Sequence, residues 1–253
     1  MEFLRQPPAV DVLGVPVHNV SRAETVELLR EMAKEGGVHH VVTVNPEFIM
    51  IAQNNCEFLT VLRGAALSLP DGTGIVWASR ILGTPVRERV TGVDVVHAIA
   101  ALASREGLSM FLLGAAPGVA ERTAQVLQAE NPGLRIAGTF AGSPSEGEED
   151  DICARIAKAQ PHFLLVAYGP PRQDLWIART TRRLQVPVAM GVGGTFDFIA
   201  GVARRAPLWM QKAGLEWLHR LIRQPHRWRR MLTLPKFVLA VLFLRFSRRQ
   251  PVR

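Results

Sequence analysis

The chain has 253 residues, 48% hydrophobic and 21% charged, which excludes a disordered or fibrous protein and allows one substantial core or two small sub-domains sharing an interface. Two cysteines, Cys56 and Cys153, form neither a disulfide framework nor a metal spacing, and they suit a reducing compartment. The net charge of +8 is uneven: residues 202–253 hold 13 Lys/Arg and one acid, Glu216, whereas residues 1–201 hold 17 Lys/Arg and 21 acids, so a slightly acidic body carries a basic tail that attracts anions such as nucleic acid, lipid head groups or phosphorylated ligands.

The opening "MEFLRQPPAVDVLGV" lacks the apolar run of a signal peptide. In chain order, "RAETVELLREMAK" reads as an amphipathic helix, with Ser21 and Glu24 at capping-box spacing. "HHVVTV" (39–44) is β-branched and apolar, a buried strand. Asn45-Pro46 after it fits an N-cap followed by proline at the first helical position. "AALSL" (65–69) is a short strand that "DGTG" (71–74) turns into the next helix. "SMFLLG" (109–114), "LRIAGTF" (134–140), "HFLLVAYG" (162–169) and "VPVAMGV" (186–192) read as further strands. Helical patterns such as "GVAERTAQVLQAE" and "DDICARIAKAQ" separate them. Continuous apolar strands alternating with helices predict an α/β fold, a mostly parallel, doubly wound, Rossmann-like sheet. The composition break divides an α/β core, residues 1–201, from a basic helical C-terminal appendage, residues 202–253. The longest apolar run there, "FVLAVLFL" (237–244), is far short of the roughly 20 residues of a membrane span.

Ligands of such sheets bind beyond the carboxyl ends of the strands. That rule collects Thr43 and Asn45 from one strand end, Asp71 from a second, Gln173 after "AYGPP" from a third, and "GVGGTFD" (191–197) from a fourth. Each has a plain structural explanation as well. Asp71-Gly72 is a common turn, Asn45 is accounted for by capping, and a glutamine at a helix start is usually a surface residue. The sharper reading makes Asp71 a general base beside a substrate hydroxyl and Gln173 a donor and acceptor for sugar hydroxyls. "GVGGTFD" offers backbone for close approach to a ligand, but Phe196 stands where a dinucleotide fingerprint needs its last glycine. "GAAPG" (114–118) is an equally weak signal, and no Walker lysine motif occurs. None of the seven histidines, His39-His40 included, has an evident ligand partner, so no metal and no cofactor are expected.

In the tail, Arg220, Arg223, Arg227 and Arg230 would share a face of one continuous helix, but Pro225 ends one helix and opens another. Basic residues mixed with Trp and Leu favour an anionic membrane surface over nucleic acid, for which no base-reading motif is present. Apolar patches at the junction would serve a homo-oligomer as well as lipid.

Several long motifs in order carry a family resemblance: "TVNPEFIMIAQ", "LPDGTGIVWASR", "RVTGVDVV", "FLLGAAPGVAE", "AYGPPRQDLWI", "GVGGTFDFIAG" and "RRAPLWMQKAGLEWLHRLIRQPHRWRR". Over nearly its whole length the chain resembles the WecG/TagA/CpsF family of bacterial glycosyltransferases. The resemblance implies inverting transfer of an N-acetylmannosamine-type sugar from a UDP donor to a polyprenyl-diphosphate-linked sugar at the inner membrane face, in synthesis of a surface polysaccharide or wall polymer. It implies Asp71 as the base and Thr43, Asn45 and Gln173 as site contacts. It makes Arg89, Arg220, Arg227 and Arg230 candidates for diphosphate, and places Gly191, Gly193, Gly194 and Asp197 near the nucleotide. Asp174 departs from the family, which often has glutamate there. No Asp-x-Asp pair is present, so metal-independent activity is expected, with arginines and helix N-termini meeting the leaving group. Two other classes remain: a non-enzymatic adaptor that binds membrane or nucleic acid through its basic tail, and a nucleotide-dependent oxidoreductase, against which the missing fingerprint counts.

Overall fold

The computed structural model describes residues 7–225 and 228–247, with the side chains of Lys212, Arg229 and Arg230 outside the description. The elements run β1 (Ala9–Val12), β2 (Val15–His18), α1 (Arg22–Glu35), β3 (His39–Val44), α2 (Pro46–Ala52), α3 (Cys56–Arg63), β4 (Leu67–Pro70), α4 (Thr73–Ile81) and α5 (Gly92–Glu106). They continue with β5 (Ser109–Gly114), α6 (Val119–Glu130), β6 (Arg135–Phe140), α7 (Glu146–Ala159), β7 (Phe163–Ala167), α8 (Arg172–Leu184), β8 (Val188–Gly191) and α9 (Thr195–Ile199). The C-terminal segment is helical: α10 (Leu208–Lys212), α11 (Glu216–Arg223), α12 (Trp228–Met231) and α13 (Thr233–Ser247).

Six strands form one parallel sheet in the order β4-β3-β8-β7-β5-β6. Each strand expected in the body is present. The apolar runs of β3, β4, β5, β7 and β8 are buried on both faces, as parallel strands require, while the edge strand β6 is only partly buried. Alternate residues feed opposite layers. Val41, Leu112, Leu165 and Met190 join α1, α5, α6 and α9 on one face. Val42 and Val44 join α2, α3, α4 and α13 on the other, next to a cluster of Leu113, Leu164 and Val166 with α7 and α8.

The capping signals hold. Ser21 and Glu24 complete a capping box at the start of α1. Asn45 Oδ1 accepts from the N–H groups of Glu47 and Phe48 at 3.0 and 3.2 Å, with Pro46 at the first helical position of α2.

Three features were not apparent from the sequence. The first is a two-stranded hairpin, β1-β2, turned by Leu13 and Gly14 at φ 54° and 83°, the backbone that a tight two-residue hairpin turn needs. The hairpin covers the edge strand: the N–H of Ser68 in β4 donates to His18 Nδ1 at 2.8 Å. The second is a partner for His40, whose Nε2 lies 3.3 Å from Asp174 Oδ1 with both side chains buried; the two are 134 residues apart, so no local pattern announces the pair. The third is that the composition break at residue 202 is not a break in packing. Helix α13 lies against α2 and α4, and its Phe237 and Val241 are buried with Val42, Phe48 and the hairpin.

β3 and β8 are parallel neighbours whose following helices leave to opposite faces of the sheet. Such a switch point opens a crevice at the carboxyl ends of the strands.

Candidate active site

A cavity of about 760 Å³ fills that crevice, roofed by the C-terminal helices. Its volume lies in the range typical of small-molecule sites. Thr43 and Asn45 border it from the end of β3, Asp71 from the end of β4, Gln173 from the start of α8, and Gly193 and Gly194 from the loop after β8. Arg89 enters from the loop before α5, and Arg220 reaches in from α11. Four strand ends and the basic segment therefore meet at one rim.

Asp71 follows β4 directly, and its N–H donates to the carbonyls of Val44 and Leu69 at 2.8 and 2.9 Å, which locks the strand tip. Burial pushes its carboxyl up to about 7; Arg89 and Arg205 pull it down, while Glu216 and Asp94 push it further up. A carboxyl poised near neutrality beside a cavity has the property of a group that takes and releases protons.

Gln173 is completely buried, not a surface residue. Its Oε1 accepts from the N–H of Gly169 at 3.0 Å and of Gly193 at 2.9 Å, tying two rim loops together. Its Nε2 has no hydrogen-bond partner among the described residues. Thr43 Oγ1 donates to the Gly191 carbonyl at 3.2 Å and joins β3 to β8. A Cβ at Gly191 would stand 2.5 Å from Gln173 Nε2 and from Asp174 Oδ1, so only glycine allows α8 to seat there.

The cationic side is a network. Arg205 Nη1 donates to Asp94 Oδ1 at 2.7 Å, its Nη2 to Thr91 Oγ1 at 3.3 Å, and its Nε to Glu216 Oε1 at 3.3 Å. Arg89 Nη1 donates to Glu216 Oε2. Burial opposes ionisation of Asp94, but hydrogen bonds from Arg205 and Thr91 hold its carboxyl below the usual range. The Arg220 guanidinium carbon sits 5.1 Å from the centre of the Phe198 ring, and a Cβ at Gly194 would meet Nη2 at 2.7 Å.

Two expected contacts do not reach the cavity. Gly191 lies beneath it, in β8 against Gln173 and Asp174. Asp197 on α9 does not line the cavity, although its Oδ2 would stand 3.5 Å from a Cβ at Gly194, on the side where that Cβ meets Arg220. Arg227 lies outside the described residues, and Arg230 belongs to α12 with its side chain outside the description. Pro225 follows the end of α11 at Arg223, so α11 and α12 are separate helices.

The sequence reading missed Arg205, Thr91, Asp94, Glu216 and Trp77, all on or beside the cavity wall. Glu216 did carry a signal, as the one acid among the 13 cations of residues 202–253. Among the described residues, no three His, Cys, Asp or Glu side chains cluster as a metal site would require.

Comparison with known proteins identifies the family. The model of the glycosyl transferase WecG/TagA/CpsF family matches residues 10–251. The chain is 37% identical over 202 residues to an N-acetylglucosaminyldiphosphoundecaprenol N-acetyl-beta-D-mannosaminyltransferase of Bacillus spizizenii, covering 80% of this chain and 78% of the relative. It is 33% identical over 233 residues to the enzyme of that name from Bacillus subtilis, covering 90% and 89%. A Staphylococcus aureus enzyme of the same name is 29% identical over 234 residues, covering 92% and 91%. With a family match that takes in both the strand ends and the helices over them, this chain belongs to the WecG/TagA/CpsF family of glycosyl transferases.

Proposed function

We propose that this protein is an inverting glycosyltransferase that moves an N-acetylmannosamine-type sugar from a UDP donor to a polyprenyl-diphosphate-linked N-acetylglucosamine. The names of its relatives support the transferred sugar and the lipid-diphosphate acceptor. The observation that carries the chemistry is the placement of Asp71 at a strand tip, facing a cavity whose other wall holds Arg89, Arg205 and Arg220. The Asp71 carboxylate takes the proton of the acceptor hydroxyl. That oxygen forms the new bond to the anomeric carbon from the face opposite the diphosphate, and the bond to the diphosphate breaks with its electron pair leaving on UDP. Arginines suit the departing diphosphate because their planar forks bind two oxygens at once. Thr43, Asn45 and the Gln173 amide line the space between, where sugar hydroxyls need partners.

The acceptor lies in a membrane, and the C-terminal helices present what is needed to reach it. Leu239, Phe243 and Phe246 are 67%, 76% and 64% exposed on the outer side of α13, while Phe237 and Val241 pack inward. Trp209, Ile222 and Trp228 are also exposed on the neighbouring helices. No helix among the described residues is long and apolar enough to cross a bilayer. This reading places the enzyme peripherally on the cytoplasmic leaflet, with apolar side chains in the interface and cations at the head groups.

The test is Asp71→Asn with UDP-N-acetylmannosamine and a short-chain prenyl-diphosphate N-acetylglucosamine, read by product mass and by UDP calorimetry. UDP binding stays, and turnover falls by roughly 10²–10⁴-fold, the usual contribution of a positioned base. Turnover within a few-fold of the parent removes Asp71 from that role.

A further inference from the structure

Glu216 sits where the body and the C-terminal helices meet. It is the first residue of α11, and its two carboxylate oxygens face different arginines: Oε2 takes Arg89 of the body, and Oε1 takes Arg205. The two arginines are not equivalent. All three nitrogens of Arg205 already have protein acceptors, in Glu216, Asp94 and Thr91. Among the described residues, Arg89 is seen bonded through Nη1 to Glu216 alone, though a guanidinium has five N–H donors. Arg205 is thus fixed scaffolding, and Arg89 is the cation whose partner can be exchanged. The pair is partly shielded, with side-chain exposures of 19% and 27%, and both residues border the cavity.

We propose that Glu216 is an internal anion that occupies Arg89 while the site is empty and yields it to the diphosphate of the ligand. This rests on the reading above that the cavity binds a diphosphate, and adds what holds its arginine beforehand. A lone guanidinium facing an empty cavity would be costly to keep in place. The carboxylate satisfies it and pins the start of α11 to the body. A diphosphate carries more charge and more acceptor oxygens than one carboxylate, so it wins the exchange, whereas a singly charged ligand does not. The exchange lowers affinity by the strength of the pair it breaks. Glu216 is therefore a specificity-determining residue that sets a threshold of ligand charge.

The experiment is calorimetry on the full chain with three probes: inorganic pyrophosphate, UDP, and farnesyl diphosphate in detergent. Glu216→Gln is expected to tighten the pyrophosphate Kd by about three- to tenfold, the scale of a partly shielded ion pair. In an Arg89→Gln background the same change gains less than about twofold, because the contested cation is gone. A residue that merely braces the fold would loosen binding when altered, never tighten it. Glu216→Asp, one methylene shorter, keeps the charge, guards against misfolding of the glutamine variant, and is expected to show a smaller gain of the same sign. Tightening with UDP assigns the exchange to the donor, and tightening with farnesyl diphosphate assigns it to the lipid acceptor. Unchanged or weaker binding by cooperatively melting variants overturns the proposal and leaves the glycosyltransferase reading standing. So does a full gain that survives Arg89→Gln. Failure of the parent protein to bind all three probes overturns both.

Discussion

Gln173 Oε1 lies 2.9 Å from the backbone nitrogen of Gly193, twenty residues along the chain, and holds the loop after β8 to the start of α8. The same oxygen takes the N–H of Gly169 at 3.0 Å, so one amide braces two loops of the rim. Gln173→Leu preserves much of the volume but leaves two N–H groups without their acceptor. We expect a loss of about 1–3 kcal/mol in stability, read from denaturant unfolding, together with a drop in turnover. An unaltered unfolding midpoint would show that the brace is dispensable.

With Asp71 as the proposed base, its proton affinity is expected to set the pH dependence of transfer. Only the ionised carboxylate can take a proton, and burial has moved its pKa up to about 7, with Arg89 opposing and Glu216 assisting. The expected profile of kcat/KM rises about tenfold per pH unit below that point and flattens above it. The residual activity of Asp71→Asn has no such limb. A flat profile between pH 5 and 8 in the parent enzyme would contradict the assignment.

The same shift makes a prediction about folding. A carboxyl whose folded pKa lies above its ordinary value of 3.8 binds its proton more tightly in the folded state. That contribution is fully present below about 3.8 and is lost as pH rises through about 7. Asp71→Asn removes the ionisation, so the variant should gain in melting temperature relative to the parent as pH is raised from 5 to 8. A melting difference independent of pH would mean that the carboxyl titrates normally.

Arg89, Arg204, Arg205 and Arg220 border the cavity, and on the proposed reading arginine takes the role that a divalent cation fills in many transferases. Transfer is therefore expected to persist within about twofold in excess EDTA, while Arg89→Gln lowers kcat/KM by about one to two orders of magnitude, the scale of a charge-assisted bond made to the leaving group. Abolition by EDTA with recovery on adding magnesium or manganese would reverse this conclusion.

The outer side of α13 supplies the test of membrane docking. Leu239 and Phe243 are four residues apart on one helix face and turned away from the buried Phe237 and Val241. Changing both to serine should leave the melting temperature close to that of the parent and sharply reduce co-sedimentation with vesicles rich in anionic lipid. Turnover of a water-soluble acceptor analogue should be preserved. Undiminished vesicle binding would direct attention to α10 and α11 instead.

The parallel sheet was legible in the sequence because its inner strands bury both faces, which leaves runs such as "MFLLG" and "FLLVA" with no polar interruption. Caps were legible because they are local: Ser21 with Glu24, and Asn45 with Pro46, act within one turn of helix. The rule that ligands lie beyond strand ends was enough to bring forward Asp71, Thr43 and Gln173. What the sequence could not show was partnership across distance. His40 meets Asp174, Arg89 meets Glu216 and Arg205 meets Asp94 over separations of more than 100 residues, and no periodicity encodes such pairs. Composition marks a change of charge, not the course of the packing. Charge changes at residue 202, but packing follows apolar faces, and α13 joins the core through Phe237 and Val241 despite its basic neighbours. Residue types and local spacing determined the strands, the caps and the acid at the strand tip; the tertiary structure decided which cation stands beside that acid and which carboxylate holds the cation, because those choices depend on where helices cross.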